Sequence, residues 1–152
     1  MTVDQSIRIE ETGKDTIIAF VDKKYSHSLR IKSNTKKNIQ NYFRKIGKPK
    51  IFPIVTFSVA IYLLIRHFKL KLDTLVIDVE YLGHESTIKN IILTLYRIDK
   101  TIEPDIYFSN IGKEDMAHIL AINIHRKEIK ADFDLTGSEI VRFVNYVVGH
   151  KK

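Results

Sequence analysis

Apolar and polar residues alternate along this chain with two different periods, and the switches between them outline its elements. Ser6-Ile7-Arg8-Ile9-Glu10 alternates with period two and predicts a short strand. A turn at Thr12-Gly13-Lys14-Asp15 leads to a more apolar strand, Thr16–Asp22. Tyr25–Ile31 follows as its antiparallel partner through a tight turn at Lys23-Lys24. The period then lengthens. Ile39, Tyr42, Phe43 and Ile46 mark a helix that starts at Ser33 or Asn34 and stops at Gly47 and Pro49. Pro49–Val55 reads as a short strand. Thr56 or Ser58 opens a helix to about Lys69 with almost no polar face, which predicts a central, buried element.

The second half repeats a strand–helix rhythm. Thr74–Glu80 is a β-branched strand, and Ser86 or Thr87 caps a helix with Ile88, Ile91, Ile92 and Leu95 on one stripe. Asp105–Asn110 is the next strand. The helix after it presents Met116, Ile119, Leu120 and Ile124 to the core. Ala131–Leu135 reads as an edge strand, and Thr136 or Ser138 caps a last helix that Gly149 ends. An opening hairpin or meander followed by strands alternating with helices predicts an α/β fold, a mixed sheet flanked by helices. We expect one domain over 1–152, with its core over about 15–125 and a C-terminal helical appendage over about 131–150.

Composition narrows the functional classes. The chain has no cysteine, which removes disulfides and thiolate metal sites and favours the cytoplasm. Met1-Thr2-Val3-Asp4 lacks the pattern of a signal peptide. The longest uncharged run, Ile51–Ile65, is short for a span and carries Pro53, so no membrane role is expected. There is no Gly-rich phosphate loop and no Gly-x-Ser-x-Gly elbow. The net charge of +7 is unevenly placed: residues 23–50 hold ten Lys or Arg and no acid. Such asymmetry suits an anionic partner, and it also fits a Lys- and Ile-rich, Gln-poor thermophile-like composition. Lys23, Lys24, Lys36, Lys37, Arg44 and Lys45 are the candidate nucleic-acid contacts, with Tyr25 and Tyr42 placed among them to stack on bases and Phe43 expected to pack inward.

The sharpest local signal is Leu75-Val76-Ile77-Asp78-Val79-Glu80. Alternation puts Asp78 and Glu80 on one face at the carboxyl end of a buried strand, where a charge is costly unless paired or metal-bound. Asp22 closes an earlier strand. Asp115 and His118 share a helix face at i, i+3 after a later one. In open α/β sheets, sites collect beyond the carboxyl ends of strands. Carboxylates gathered there from separate strands are the usual holders of divalent metals that clamp a phosphodiester, and oxygen ligands suit Mg²⁺ or Mn²⁺. Each residue also has a structural explanation: Asp22 as a turn residue, Glu80 as a solvated strand end, Asp115 as a first-turn acid, His118 as a partly buried histidine.

The order of hairpin, buried helix, strand with Asp, helix, strand and acid-bearing helix resembles the ribonuclease H-like superfamily of nucleases, resolvases and transposases. Ile111-Gly112-Lys113-Glu114-Asp115-Met116-Ala117-His118-Ile119-Leu120-Ala121 is similar to that family's final active-site helix. The resemblance implies that Asp22 matches the first-strand Asp, Asp78 the central-strand acid, and His118 or Asp115 the last acid. It implies a metal-dependent nuclease or strand-transfer domain with Asp22, Asp78, Asp115 and His118 catalytic and Asp22, Asp78, Glu80 and Asp115 on the metals. Two other readings remain open. One is a non-catalytic nucleic-acid-binding or scaffold protein on the same fold. The other is a PD-(D/E)xK-type nuclease built on Asp105 with Glu128-Ile129-Lys130, which requires the Glu and Lys on a strand beside the Asp.

Overall fold

The computed structural model describes residues 1–23, 25–112 and 115–148. In chain order these form β1 (Thr2–Gln5), β2 (Thr16–Val21), β3 (Ser26–Ile31), α1 (Ser33–Lys45), a 3₁₀ turn (Pro49–Ile51) and α2 (Phe52–His67). There follow β4 (Thr74–Asp78), α3 (Glu85–Ile98), β5 (Asp105–Ser109), α4 (Met116–His125), β6 (Phe133–Asp134) and α5 (Gly137–Val148). The six strands make one mixed sheet in the order β5-β4-β1-β2-β3-β6. β1, β2 and β3 are an antiparallel meander, β4 and β5 run parallel to β1, and β6 runs parallel to β3. Parallel neighbours need long crossovers. α1 and α2 supply the one into β4, and α3 supplies the one into β5.

Strand alternation sorts the side chains between two unequal layers. Val3, Ile18, Phe20, Leu29, Ile31, Leu75, Ile77 and Ile106 face the larger core, which they share with α1, α2, α3 and α5. Ile17 and Ala19 face the other way and meet Ala121 and Ile124 of α4. The apolar α2 is buried over almost its whole length, as its lack of a polar face requires. Pro49–His67 has the length and hydropathy of a membrane span, and 72% of that window is buried inside the fold.

Four sequence expectations change. Ser6–Glu10 is a turn region rather than a strand. It buries Ile9, whose N–H donates to the Tyr81 hydroxyl at 3.0 Å. The first strand is Thr2–Gln5 instead. Its Thr-Val-Asp-Gln is too short to show alternation and is held by pairing on both sides. Pro49–Val55 is helical, because Pro49 and Pro53 sit in first turns, where a missing N–H costs nothing. On α4 the buried stripe is Ala117, Ala121 and Ile124, while Met116 and Ile119 are exposed, because small residues let the helix approach β2 closely. The C-terminal part is no appendage: Ile140, Phe143 and Val144 belong to the main core. Gly149 lies outside the described residues.

α1, α2, α3 and α4 end with the same paired backbone bonds. The N–H groups of Gly47, Lys69, Lys100 and Lys127 reach back three residues, and the next N–H reaches back five. All four residues are left-handed, with φ of 74°, 52°, 56° and 63°. Three lysines thus hold positions that glycine fills at lower cost.

Candidate metal centre

β1 and β4 are parallel, with Val3 opposite Ile77. Val3 and Ile77 point into the main core, so the next residue on each strand, Asp4 and Asp78, points to the α4 side. Glu80, two residues on, turns the same way. One carboxylate oxygen from each of Asp4, Asp78 and Glu80 falls within 4.8 Å of the others, so the three can hold a metal ion together. The cluster lies at the carboxyl ends of two parallel strands. Among the described residues no helix packs over the half-sheet of β4 and β5 on this side, and Tyr107 of β5 is 57% exposed.

Each carboxylate is held in place. Asp4 is 1% exposed; its Oδ1 accepts the Gln5 N–H at 2.8 Å, and its Oδ2 lies 2.7 Å from Nδ1 of His118. Asp78 Oδ1 accepts the Ile111 N–H at 2.7 Å, which ties the end of β4 to the loop after β5. Glu80 has Arg8 at 3.9 Å, too long and too exposed a pair to neutralise it.

Three acids this close cannot all be charged without compensation. Burial pushes the Glu80 carboxyl up to about 9, helped by hydrogen bonds to Asp78 and Asp4 and by their charge. Burial also raises Asp4, against hydrogen bonds from Glu80 and His118 that favour its ionised form; the Asp78 charge adds to the rise. Near neutral pH, then, the cluster holds a proton on Glu80, and that proton is what a cation would replace.

Asp115 has a different role. It is the N-cap of α4: its Oδ1 accepts the Ala117 N–H at 2.8 Å and the Thr2 hydroxyl at 3.2 Å. It pins α4 to β1 and so delivers His118, one turn on, to Asp4. Asp115 and His118 do share a helix face, but only His118 reaches the cluster.

Asp22 is not brought to the site. β2 is antiparallel to β1, and Val21 pairs with Thr2, so Asp22 lies past the opposite end of the strands. Its N–H donates to the Tyr25 carbonyl across the β2–β3 turn at 2.9 Å. The residue that sequence reasoning missed is Asp4. Its one signal is an Asp in a strand too short to show alternation.

The basic stretch also divides. Lys36 is fully buried, with Nζ donating to the Glu11 carbonyl at 2.7 Å, the Thr16 hydroxyl at 2.9 Å and the Arg8 carbonyl at 3.3 Å. It is a strut under the loop 8–11 and cannot touch a nucleic acid. Burial lowers its ammonium to about 8, against the opposing pull of Glu11, Asp15 and Glu10. Lys23, Lys37, Arg44 and Lys45 are exposed, and Lys24 lies outside the described residues. The last three exposed cations are on α1, in the layer opposite α4 and Asp4.

Asp105 is an exposed residue opening β5, and Glu128-Ile129-Lys130 is an exposed loop after α4. The strand that a PD-(D/E)xK site needs is therefore not formed by these residues. No family model matches the chain, and no curated protein or solved structure matches it either.

Proposed function

We propose that this chain is a metal-dependent nucleic-acid phosphodiesterase or strand-transfer domain of ribonuclease H-like type, with Mg²⁺ or Mn²⁺ on Asp4, Asp78 and Glu80. The observation that carries this is the meeting of three separate elements at one point: Asp4 from the first strand, Asp78 from the strand parallel to it, and His118 from the helix after the next strand. The resemblance places a first-strand Asp, a central-strand acid and a last-helix acid or His in those elements, and Asp4 takes the place expected of Asp22. A meander of three strands leading to helices, then a strand, a helix, a strand and a helix also follows that family's order.

The donor set is oxygen-rich and fits a hard divalent cation. Such a cation, when bound, polarises a phosphodiester and lowers the pKa of water beside it. The protein's own share is orientation and charge. His118 and the Gln5 N–H fix both oxygens of Asp4, the Ile111 N–H fixes one of Asp78, and Glu80 gives up its proton as the site fills. The experiment is cleavage of labelled DNA duplex, RNA duplex and RNA–DNA hybrid with Mn²⁺, on the wild type and Asp78→Asn. Cleavage by the wild type alone supports the reading, whereas equal cleavage by both ascribes it to something else.

One observation favours the second reading, a nucleic-acid-binding protein without catalysis. A protonated Glu80 lets the three carboxyl groups stand together with no cation at all. That protein would bind the same probes, cut none of them, and melt at the same temperature with or without Mn²⁺.

A further inference from the structure

At the far end of α4 lies an open groove of about 540 Å³ on the α4 side of the sheet. Ile17 and Ile124 lie at its base, and Lys14, Arg30, His125, Lys127, Lys130 and Asp15 line it. The charges are not equally available. Arg30 is spent on a two-point pair with Asp134, at 2.6 and 2.9 Å. Asp15 accepts the Ser33 N–H at 2.8 Å and is turned to that task. Among the described residues, no carboxylate forms an ion pair with Lys14, Lys127 or Lys130. All three are exposed. The groove is thus a concave surface with three unspent cations over an apolar base.

Its position relative to the metal centre follows from helix geometry. His118 touches Asp4, and His125 lines the groove. Seven residues are two turns, so both side chains lie on one stripe of α4, about 10.5 Å apart along its axis. A strand of a duplex advances about 3.4 Å per nucleotide. Along α4 the groove is thus about three nucleotide steps beyond His118, and it opens over β2 and β3, next to the β1–β4 pair that carries the cluster.

Resting on the function proposed above, we propose that this groove grips the phosphate backbone of the strand presented to the Asp4–Asp78–Glu80 cluster, through Lys14, Lys127 and Lys130. The basic surface that holds substrate is therefore this one, built from residues distant in sequence, and not the run on α1. Contacts to phosphate give affinity without sequence preference, and each one lost lowers the salt dependence of binding.

The test is fluorescence anisotropy with labelled 12-base-pair DNA, RNA and hybrid duplexes, without metal, from low to moderate salt. Three proteins are compared: the wild type, Lys14→Ala/Lys127→Ala/Lys130→Ala, and the α1 control Lys37→Ala/Arg44→Ala/Lys45→Ala. Thermal melting confirms that both variants are folded; their substitutions fall on exposed side chains. The groove variant should bind about tenfold more weakly at low salt, with the log–log salt slope smaller by about two to three, and the control should stay close to the wild type. Equal loss in both variants, or a larger loss in the control, overturns the groove while leaving a nucleic-acid partner in place. Absence of binding by the wild type to all three duplexes overturns both the groove and the reading beneath it. Mn²⁺-dependent melting of the groove variant should match the wild type, since the metal centre is untouched.

Discussion

The two faces of the sheet differ in thickness and in chemistry. Four helices cover one face, and its core runs unbroken from Val3 through Phe57 and Leu64 to Phe143. Among the described residues one helix, α4, crosses the other, where Ile17, Ala19, Ala121 and Ile124 form a small buried apolar cluster. The first face supplies most of the apolar burial that holds the chain together. The second, among the described residues, leaves β4 and β5 without a helix and gathers carboxylates at the strand ends. The contrast teaches where the fold can tolerate polar groups. A buried carboxylate such as Asp4 is sustainable because the thick face carries the stability and, on the thin face, the Gln5 N–H and His118 satisfy its oxygens.

The largest expected effect lies in the thick face. Phe57→Ala should cost about 3–5 kcal/mol in urea unfolding, because the packed helices around it cannot close the space. Ile124→Ala, under α4, should cost only about 2 kcal/mol, because a single helix over the sheet can settle into the space. Comparable costs at the two sites would erase the distinction between the faces.

Lys36 comes next, since it is a polar group buried on the thick side. Lys36→Met should cost about 2–3 kcal/mol by leaving the Glu11 carbonyl and the Thr16 hydroxyl without their donor. Its pH dependence has a definite sign. The folded ammonium titrates near 8 and the unfolded one near 10.5, so the unfolded chain binds more protons between them. That group therefore adds stability as pH rises from about 8 to 10.5, and Lys36→Met should lack the increment.

The smallest effect is at a helix end. Lys100→Gly should stabilise by up to about 1 kcal/mol, because φ of 56° costs a lysine what it does not cost a glycine. No gain in the melting midpoint would mean that the Lys100 side chain supplies something the backbone geometry does not show.

How much of this was legible in sequence depended on how local the signal was. α2 could be read because its burial is written in an uninterrupted apolar run. Asp78 and Glu80 could be read because a charge at the end of a β-branched strand has few structural excuses. Asp4 could not, since β1 is four residues held in the middle of a sheet by partners at 16–21 and 74–78. The alternation of Ser6–Glu10 was a better strand pattern than the real one, and it drew the first-strand acid to Asp22. The basic run misled for a related reason: Lys36 turns inward, and Lys14, Lys127 and Lys130 reach the same groove from more than a hundred residues apart. At Asp115 and His118 the shared helix face was visible, but which residue caps and which reaches β1 is settled by packing.

The measurement that tests the central claim most directly is thermal melting with Mn²⁺ up to about 10 mM, on the wild type and Asp78→Asn, at pH 6 and pH 8.5. Glu80 titrates near 9 in the folded protein against an ordinary value of 4.5, so the metal-free native state holds an extra proton across that window and loses stability as pH rises through it. A cation that displaces this proton binds more tightly at the higher pH and stabilises by RT ln(1 + [L]/Kd). The account predicts a rise in melting temperature for the wild type, larger at pH 8.5, and none for Asp78→Asn. A wild type that does not respond at either pH, or a variant that responds equally, would contradict a metal centre on Asp4, Asp78 and Glu80.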